Sequence, residues 1–301
     1  MSVAAEGSTQ SVDIDQEIPY RSDIASVYDS VKELPGGQRA TTNKTGMEMS
    51  TISPLHQEWV ASYDGTHPLV DVGCAYGRNT YAASQVLSST LGEPVVRASA
   101  RILAVDCSEI HLSEVEKLQA TGVRTAYGEL PSGLPIDLIQ DYGGASGILI
   151  SEVFHFLSGP AIERALVEVF QLLKPGGLLF ITAASPQINL NSDSEGKCVM
   201  ADKIRVNFEA RRSAGEPWPG DGINPQQMWA DAQITEWDTG GGMDRLPKFI
   251  HLMRPEQITR AAIAAGFQIQ RAQLARHPGY PPGLINPSFK NFNCQIVAQK
   301  P

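Results

Sequence analysis

The stretch that decides the fold is "PLVDVGCAYGRNTYAA", from Pro68 to Ala83, where a short apolar run leads through a loop into a helical pattern. The run "HPLVDVG" is apolar apart from His67 at its start and one acid, which suits a strand buried on both faces of a parallel sheet. Asp71, Gly73 and Gly77 stand where this strand must turn sharply into a helix, with Ala75 between the two glycines. Such a loop commonly holds a ligand against its backbone N–H groups. The glycines could also be ordinary turn residues.

Strand and helix patterns alternate along the chain beyond this stretch. Helices are predicted at "RNTYAASQVLSSTL", "IHLSEVEKLQATG" and "PAIERALVEVFQLLKPGG", the last of them stopped by Pro175 to Gly177. Strands are predicted at "HPLVDVG", "ARILAVDCS", "VRTAYGEL", "GASGILIS", "LLFITAAS", "FQIQRAQL" and "FNCQIVAQK". The alternation predicts an α/β fold with a doubly wound, mostly parallel seven-stranded sheet. No helix separates the last two strands, so the final strand is expected to be antiparallel.

The pattern divides the chain into five segments. A region from Pro186 to Phe249 interrupts the alternation, and it holds three of the four tryptophans of the chain. A long insertion between sheet elements is more often a binding segment than an idle loop. The predicted boundaries are a disordered tail (1–19), a helical cap (20–67), an α/β core (68–185), an inserted lid (186–250) and a completion of the core (251–301).

The composition bounds the class of protein. The chain has 301 residues, of which 42% are hydrophobic and 19% charged, and its mean hydropathy is -0.16. No apolar run approaches the roughly 20 residues that span a bilayer, and no signal peptide is recognisable. We therefore expect a soluble, cytoplasmic protein without a membrane partner, either a monomer or a homodimer.

The net charge and the cysteine content indicate which ligands and partners to expect. The formal net charge is -9, which disfavours nucleic acid as a partner because an acidic chain repels phosphate backbones. The four cysteines are scattered without a CxxC pair, so free thiols are expected rather than disulfides or a metal site. A small molecule is the expected substrate.

Polar residues collect where the predicted strands end. The carboxyl ends of parallel strands meet at one edge of the sheet, which is where open α/β sheets bind ligands. Each residue also has a simpler interpretation: Asp106 could cap a helix, and Glu129 could be solvated. The residues predicted at this edge are Asp71, Gly73, Asp106, Glu129, Ser151 and Glu152.

Two ligands compete for this edge. A dinucleotide site requires G-x-G-x-x-G, but Arg78 occupies the third glycine position, and Asp71 places negative charge beside the phosphates. S-adenosylmethionine carries no phosphate. An acid beside the loop suits its ammonium group, directly or through water, and an acid after the second strand can accept both ribose hydroxyls. The second ligand explains Asp71, which the first leaves unexplained.

Five motifs in order resemble those of class I S-adenosylmethionine-dependent methyltransferases of the small-molecule type. The segment from Asp71 to Gly77 resembles D/E-x-G-x-G-x-G, with Ala75 replacing the middle glycine. "ILAVDCSE", "YGELPSGLP", "ILISEVFHFL" and "FQLLKPGGLLFIT" resemble the motifs that follow, and the resemblance covers Pro68 to Ser185. It implies a Rossmann-like fold that uses S-adenosyl-L-methionine as cofactor. The residues that would contact the cofactor are Asp71, Gly73, Ala75, Gly77, Asp106 (ribose), Cys107 and Glu129 (adenine), and Ser151.

Candidate catalytic residues follow the fourth strand. An in-line methyl transfer gains most of its rate from alignment of the reactants, and a base is needed only for a protonated acceptor. His155 is the first candidate for that base, although it could simply be packed. His251 is the second, with packing at a hinge as its alternative. Glu152 could bind substrate or cap the turn.

The acceptor is expected to be a small molecule with an oxygen or carbon nucleophile, because no N-P-P-Y-type segment stands at the fourth strand. Tyr20 and Tyr28 are candidates to close over the ligand. Trp218, Trp229 and Trp237 could form an aromatic wall around the substrate or pack into a small core of the lid. Two other functions stay open: a catalytically silent cofactor-binding protein, and an NAD-dependent oxidoreductase.

Overall fold

A computed structural model describes residues 39–41, 47–49, 51–91, 100–187, 199–224, 249–277 and 293–301. Two short strands come first: β1 (Arg39–Ala40) pairs antiparallel with β2 (Met47–Glu48). Helix α1 (His56–Ala61) follows, and the buried indole of Trp59 donates a hydrogen bond to the carbonyl of Gly147 at 3.2 Å. Residues 20–38 of the predicted helical cap lie outside the described residues.

The elements of the α/β core follow in alternating order. The strands are β3 (Leu69–Val72), β4 (Ile102–Asp106), β5 (Val123–Tyr127), β6 (Ala145–Ser151), β7 (Leu173–Ala184), β8 (Gln268–Ala275) and β9 (Asn293–Gln299). The helices are α2 (Arg78–Leu91), α3 (Glu109–Lys117), α4 (Ile136–Gln140), α5 (Gly159–Leu172), α6 (Val199–Ser213) and α7 (Pro255–Ala264). A 3₁₀ turn (Phe154–Phe156) connects β6 to α5.

The seven long strands form one sheet in the order β5-β4-β3-β6-β7-β9-β8. Strands β3 to β7 run parallel, and β9 pairs antiparallel with both β7 and β8. The chain moves outward from β3 to β5 and then returns to place β6 on the other side of β3. The predicted fold class, a doubly wound seven-stranded sheet with an antiparallel final strand, is confirmed.

Both faces of the sheet are covered, as the continuous apolar strands predict. Alternate side chains of β3 and β6 lie on opposite faces: Val70 and Ile148 belong to one buried cluster, and Leu69 and Leu149 to the other. Helices α5 and α7 contribute to the first cluster, whereas α1 and α2 contribute to the second. Since side chains alternate along a strand, the central strands must be apolar on both sides, whereas the edge strands β5 and β8 are partly exposed.

Helix α5 ends earlier than predicted. The sequence suggests that Pro175 to Gly177 stop this helix, but its last residue is Leu172, and "LKPGG" is already extended. Pro175 disfavours a helical conformation for the residue before it. Gly176 and Gly177 also exchange backbone hydrogen bonds with Lys300 at 2.8 and 3.0 Å. The segment therefore starts the strand as well as ending the helix.

Within the ranges given above, no helix has the length and hydropathy needed to cross a membrane.

Candidate active site

The loop after β3 uses residues with left-handed backbone. Gly73, Ala75 and Gly77 have φ values of 73°, 47° and 81°. A Cβ on Gly73 would lie 2.4 Å from a methyl carbon of Val153, so both backbone and space require glycine there. Ala75 tolerates its conformation at a cost that a glycine would not incur. Packing alone thus explains much of the glycine pattern.

A pocket opens beside this loop, at the carboxyl ends of the parallel strands. It lies where the chain changes direction, between β3 and β6, which is the expected ligand position in an open α/β sheet. The residues lining it are Thr41, Glu48, Met49, Thr51, Val72, Gly73, Cys74, Ala75, Arg78, Asn79, Asp106, Cys107, His111, Gly128, Glu129, Leu130, Ser151, Glu152, Val153, Phe156 and Leu157.

Asp106 connects the loop to helix α3. One of its carboxylate oxygens accepts the N–H of Ala75 at 2.9 Å, and the other accepts the N–H of Ser108 at 2.9 Å. Nδ1 of His111 lies 3.1 Å from the second oxygen, and Tyr76 packs edge-on against the His111 ring. The carboxylate therefore organises the backbone around the pocket while lining it. The alternative interpretation of Asp106 as a helix cap is wrong, because Ser108 is the N-cap of α3 and its hydroxyl accepts the N–H of His111 at 3.3 Å.

The lining is strongly acidic. Four carboxylates, those of Glu48, Asp106, Glu129 and Glu152, face one guanidinium, that of Arg78, among the described residues of the pocket wall. Arg78 Nη2 lies 3.5 Å from an oxygen of Glu48, and both side chains are largely buried. Such a wall repels phosphate and attracts cationic groups and hydroxyl donors.

Asp71 does not line the pocket. Its side chain is buried at 1% exposure, and the hydroxyl of Thr80 on helix α2 donates to it at 2.7 Å. Burial, opposed by this hydrogen bond and reinforced by the charges of Asp106 and Glu48, raises the pKa of Asp71 to about 7. A direct contact of Asp71 with a ligand ammonium is thus not provided by this geometry, because the carboxylate faces the helix, whereas a contact through water stays a prediction.

Glu152 is contacted by a residue of strand β9 and by two histidines. It has a left-handed φ of 58°, and the side-chain amide of Asn293 on β9 donates to its Oε1 at 2.7 Å and to the carbonyl of Ala183 at 3.0 Å. His155 Nδ1 lies 3.6 Å from Glu152 Oε2, and His277 Nε2 lies 4.0 Å from Oε1. Burial lowers the pKa of both histidines, although the charge of Glu152 opposes the shift.

The other two catalytic candidates lie behind the pocket wall. His155 is 7% exposed and packs edge-on against Phe156. His251 is fully buried, with Nδ1 3.0 Å from the carbonyl of Leu157, and burial lowers its pKa. Of the predicted catalytic residues, only Glu152 lines the pocket.

Trp218 packs against helix α5. Its ring covers Gly159, where an added Cβ would lie 2.1 Å from it, and its indole N–H donates to Glu163 at 3.0 Å. The guanidinium of Arg260 lies 5.2 Å from the ring centroid. Trp218 therefore packs into the buried cluster of the α/β core, rather than into a separate small core of the lid.

The remaining predicted residues divide into three groups. Cys107, Glu129 and Ser151 line the pocket, with the Ser151 and Thr182 hydroxyls 3.0 Å apart. Gly77 belongs to the loop, where its φ is positive, but it does not line the pocket. The residues outside the described ranges are Tyr20, Tyr28, Trp229 and Trp237.

Sequence reasoning missed several residues of the site. Glu48 comes from "MEMS", which has no periodic pattern, and Arg78 was considered only as an obstacle to phosphate binding. His111 carried a usable signal, since a residue five positions after a strand-end acid falls on the first turn of the following helix. No group of three or more metal-ligating side chains occurs within the described ranges.

No protein-family model and no curated protein matches the chain. Solved structures resemble it at low identity. A methyltransferase dependent on S-adenosylmethionine from Mesorhizobium loti is 17% identical over 81% of this chain and 96% of that one, with a TM-score of 0.47. One from Methanosarcina mazei is 14% identical over 83% and 98%, with a TM-score of 0.49. The glycopeptide N-methyltransferase MtfA, complexed with sinefungin, is 13% identical over 82% and 92%, with a TM-score of 0.46.

Proposed function

We propose that the chain is a class I S-adenosylmethionine-dependent methyltransferase that acts on a small-molecule acceptor. The observation that carries the proposal is the acidic pocket at the point where the sheet changes direction. Its wall combines four carboxylates with one guanidinium. A dinucleotide would bring a pyrophosphate into this wall, whereas S-adenosylmethionine brings a sulfonium, an ammonium and a ribose diol. The charge of the pocket favours the second ligand.

The chain's residues fit the parts of this cofactor. Asp106 is the candidate for the ribose diol, and Cys107, Gly128 and Glu129 line the neighbouring wall where adenine would lie. Gly73 lines the pocket, and Val153 packs against the position that a side chain would occupy there. S-adenosylmethionine supplies an activated methyl group with its own leaving group, so the protein needs mainly to align the acceptor.

Glu152 is the residue that we propose to meet the acceptor. It lines the pocket, and Asn293 fixes one of its oxygens while His155 lies beside the other. A carboxylate fixed in this way can accept a proton from a hydroxyl or an acidic carbon, which favours oxygen or carbon acceptors.

Calorimetric titration of the purified chain with S-adenosylmethionine, S-adenosylhomocysteine and NAD tests the cofactor. We expect binding of both sulfur ligands and none of NAD. Binding of NAD alone would contradict the proposal. Once an acceptor is found by screening, Glu152→Gln should lower turnover while leaving S-adenosylhomocysteine affinity within about twofold, and normal turnover would remove Glu152 as the base.

A further inference from the structure

The position of Asp71 leaves the cofactor's ammonium group without its expected acid. Asp71 is buried against Thr80 on helix α2 and does not reach the pocket. The acid that does line the pocket at this end is Glu48, which comes from the short strand pair before the core. Its carboxylate is only 7% exposed, although carboxylates are rarely buried unless they are paired.

Glu48 is paired with Arg78, and the pair lines the pocket. Nη2 of Arg78 lies 3.5 Å from Glu48 Oε2, while the backbone N–H of Arg78 donates to Oε1 at 3.4 Å. The side chain of Arg78 is 15% exposed. A positive and a negative group therefore stand side by side in the wall, at the start of helix α2.

The glycine loop separates this pair from Asp106. Ala75, within the loop, donates its N–H to Asp106, and Arg78, at the end of the loop, donates its N–H to Glu48. The two carboxylates thus bind the backbone of the same short loop, Asp106 at its middle and Glu48 where helix α2 begins. A ligand that places its ribose on Asp106 and runs along the loop brings its other end to Glu48 and Arg78.

We propose that Glu48 and Arg78 bind the α-amino-acid end of the cofactor, with Glu48 accepting from the ammonium and Arg78 donating to the carboxylate. The proposal rests on the function proposed above and assigns this subsite to a residue pair that includes the strand before the core. An α-amino acid carries both charges on one carbon, so it matches a wall in which the opposite charges are adjacent. A guanidinium has five N–H donors, which allows Arg78 to hold a ligand carboxylate and Glu48 together.

Two ligands that differ only at this end test the proposal. S-adenosylhomocysteine has the amino-acid end, and 5′-methylthioadenosine has the same adenosine and a thioether without it. Calorimetry of the full chain compares wild type with Glu48→Gln and Arg78→Met. We expect each substitution to weaken S-adenosylhomocysteine roughly 10- to 100-fold, the effect of losing one charge-assisted hydrogen bond. Affinity for 5′-methylthioadenosine should change by less than about twofold, and this also reports that the variants fold.

A matched control uses a different acid. Glu58 forms an exposed ion pair with Arg271 at 2.6 Å and does not line the pocket, so Glu58→Gln should leave both affinities unchanged.

Unchanged S-adenosylhomocysteine binding by Glu48→Gln and Arg78→Met would overturn the subsite. An equal loss of both ligands would also overturn it, because the effect would then lie in the loop. If wild type binds 5′-methylthioadenosine but gains nothing from the amino-acid end, the subsite fails while the nucleoside site stands. If wild type binds neither ligand, the proposed function itself fails.

Discussion

Nδ1 of His111 lies 3.1 Å from a carboxylate oxygen of Asp106, and both side chains line the pocket. The same carboxylate accepts backbone N–H groups from Ala75 in the loop and from Ser108 at the start of helix α3. The end of strand β4, the loop after β3 and the start of helix α3 are therefore joined through the side chain of Asp106. Ligand binding at Asp106 and the shape of the loop must depend on each other.

Replacing Asp106 with alanine should affect both binding and stability. The loss of an acceptor for the ribose is expected to weaken S-adenosylhomocysteine by about 1.5–3 kcal/mol. Two buried N–H groups also lose their acceptor, so the melting temperature should fall. Calorimetry and thermal unfolding measure the two effects, with Asp141→Ala as an exposed-acid control. Full affinity in Asp106→Ala would reject the ribose assignment.

Gly73→Ala should disrupt the loop more than its backbone conformation alone explains. Its φ of 73° is close to the 76° of Gly176, but a Cβ at Gly73 would meet Val153 at 2.4 Å, whereas nothing lies within 4 Å at Gly176. Gly176→Ala therefore measures the backbone cost alone, about 1–2 kcal/mol.

Urea unfolding of both variants makes the comparison. We expect Gly73→Ala to lose clearly more stability and to lose cofactor binding, and Val153→Ala should restore part of both. Equal losses in Gly73→Ala and Gly176→Ala would show that the contact with Val153 is unimportant.

The buried carboxyl of Asp71 should make stability fall as the pH rises. Its pKa is about 7 in the folded state and 3.8 in an unconstrained chain. Between these values the folded state retains a proton that the unfolded state releases, so the free energy of unfolding decreases with increasing pH. The full effect across this window is on the order of 4 kcal/mol.

Asp71→Asn removes this contribution because an amide does not ionise. Urea unfolding at pH 5, 6, 7 and 8 should show the variant gaining stability relative to wild type as the pH rises, whatever the constant offset from the new amide. Asp137→Asn, at an exposed position on α4, is the control. Parallel pH profiles for Asp71→Asn and wild type would mean that the carboxyl is already ionised in the folded protein.

The hydrogen bond between Asn293 and Glu152 should appear as a coupling free energy. A double-mutant cycle with Asn293→Ala and Glu152→Ala is expected to give roughly 1.5–3 kcal/mol, as for other bonds to a charged group. Thermal unfolding of the four proteins measures it. A second cycle that pairs Asn293→Ala with Glu58→Ala should be additive. A coupling near zero in the first cycle would show that Asn293 does not position Glu152.

The fold was predictable because its signals are local. Each central strand is apolar on both faces, as Leu69 and Val70 illustrate, and the chain alternates strand with helix. The convergence of Asp106, Glu129 and Glu152 on one pocket was also predictable. Parallel strands end at the same edge, so residues that follow them meet there whatever their separation in sequence.

The parts that could not be predicted depend on tertiary packing. Nothing in the sequence distinguishes an acid that faces the pocket from one that faces a neighbouring helix, so Asp71 was expected at the ligand. Glu48 reaches Arg78 from a segment with no periodic pattern, 30 residues away. Asn293 contacts Glu152 across 141 residues. The first pairing depends on the position of strand β2 beside the start of helix α2, and the second on the position of strand β9 beside β7.

Strand β9 lies between β7 and β8, although β8 precedes it in the chain. During synthesis on the ribosome, β8 emerges first and has no partner, because its sole neighbour in the sheet has not yet been made. Strand β8 can join the sheet only when β9 has been made and lies between β7 and β8. The same placement of β9 delivers Asn293 to Glu152, so the surroundings of Glu152 are completed only after β9 has been made, whereas the contact between Asp106 and the loop can form earlier.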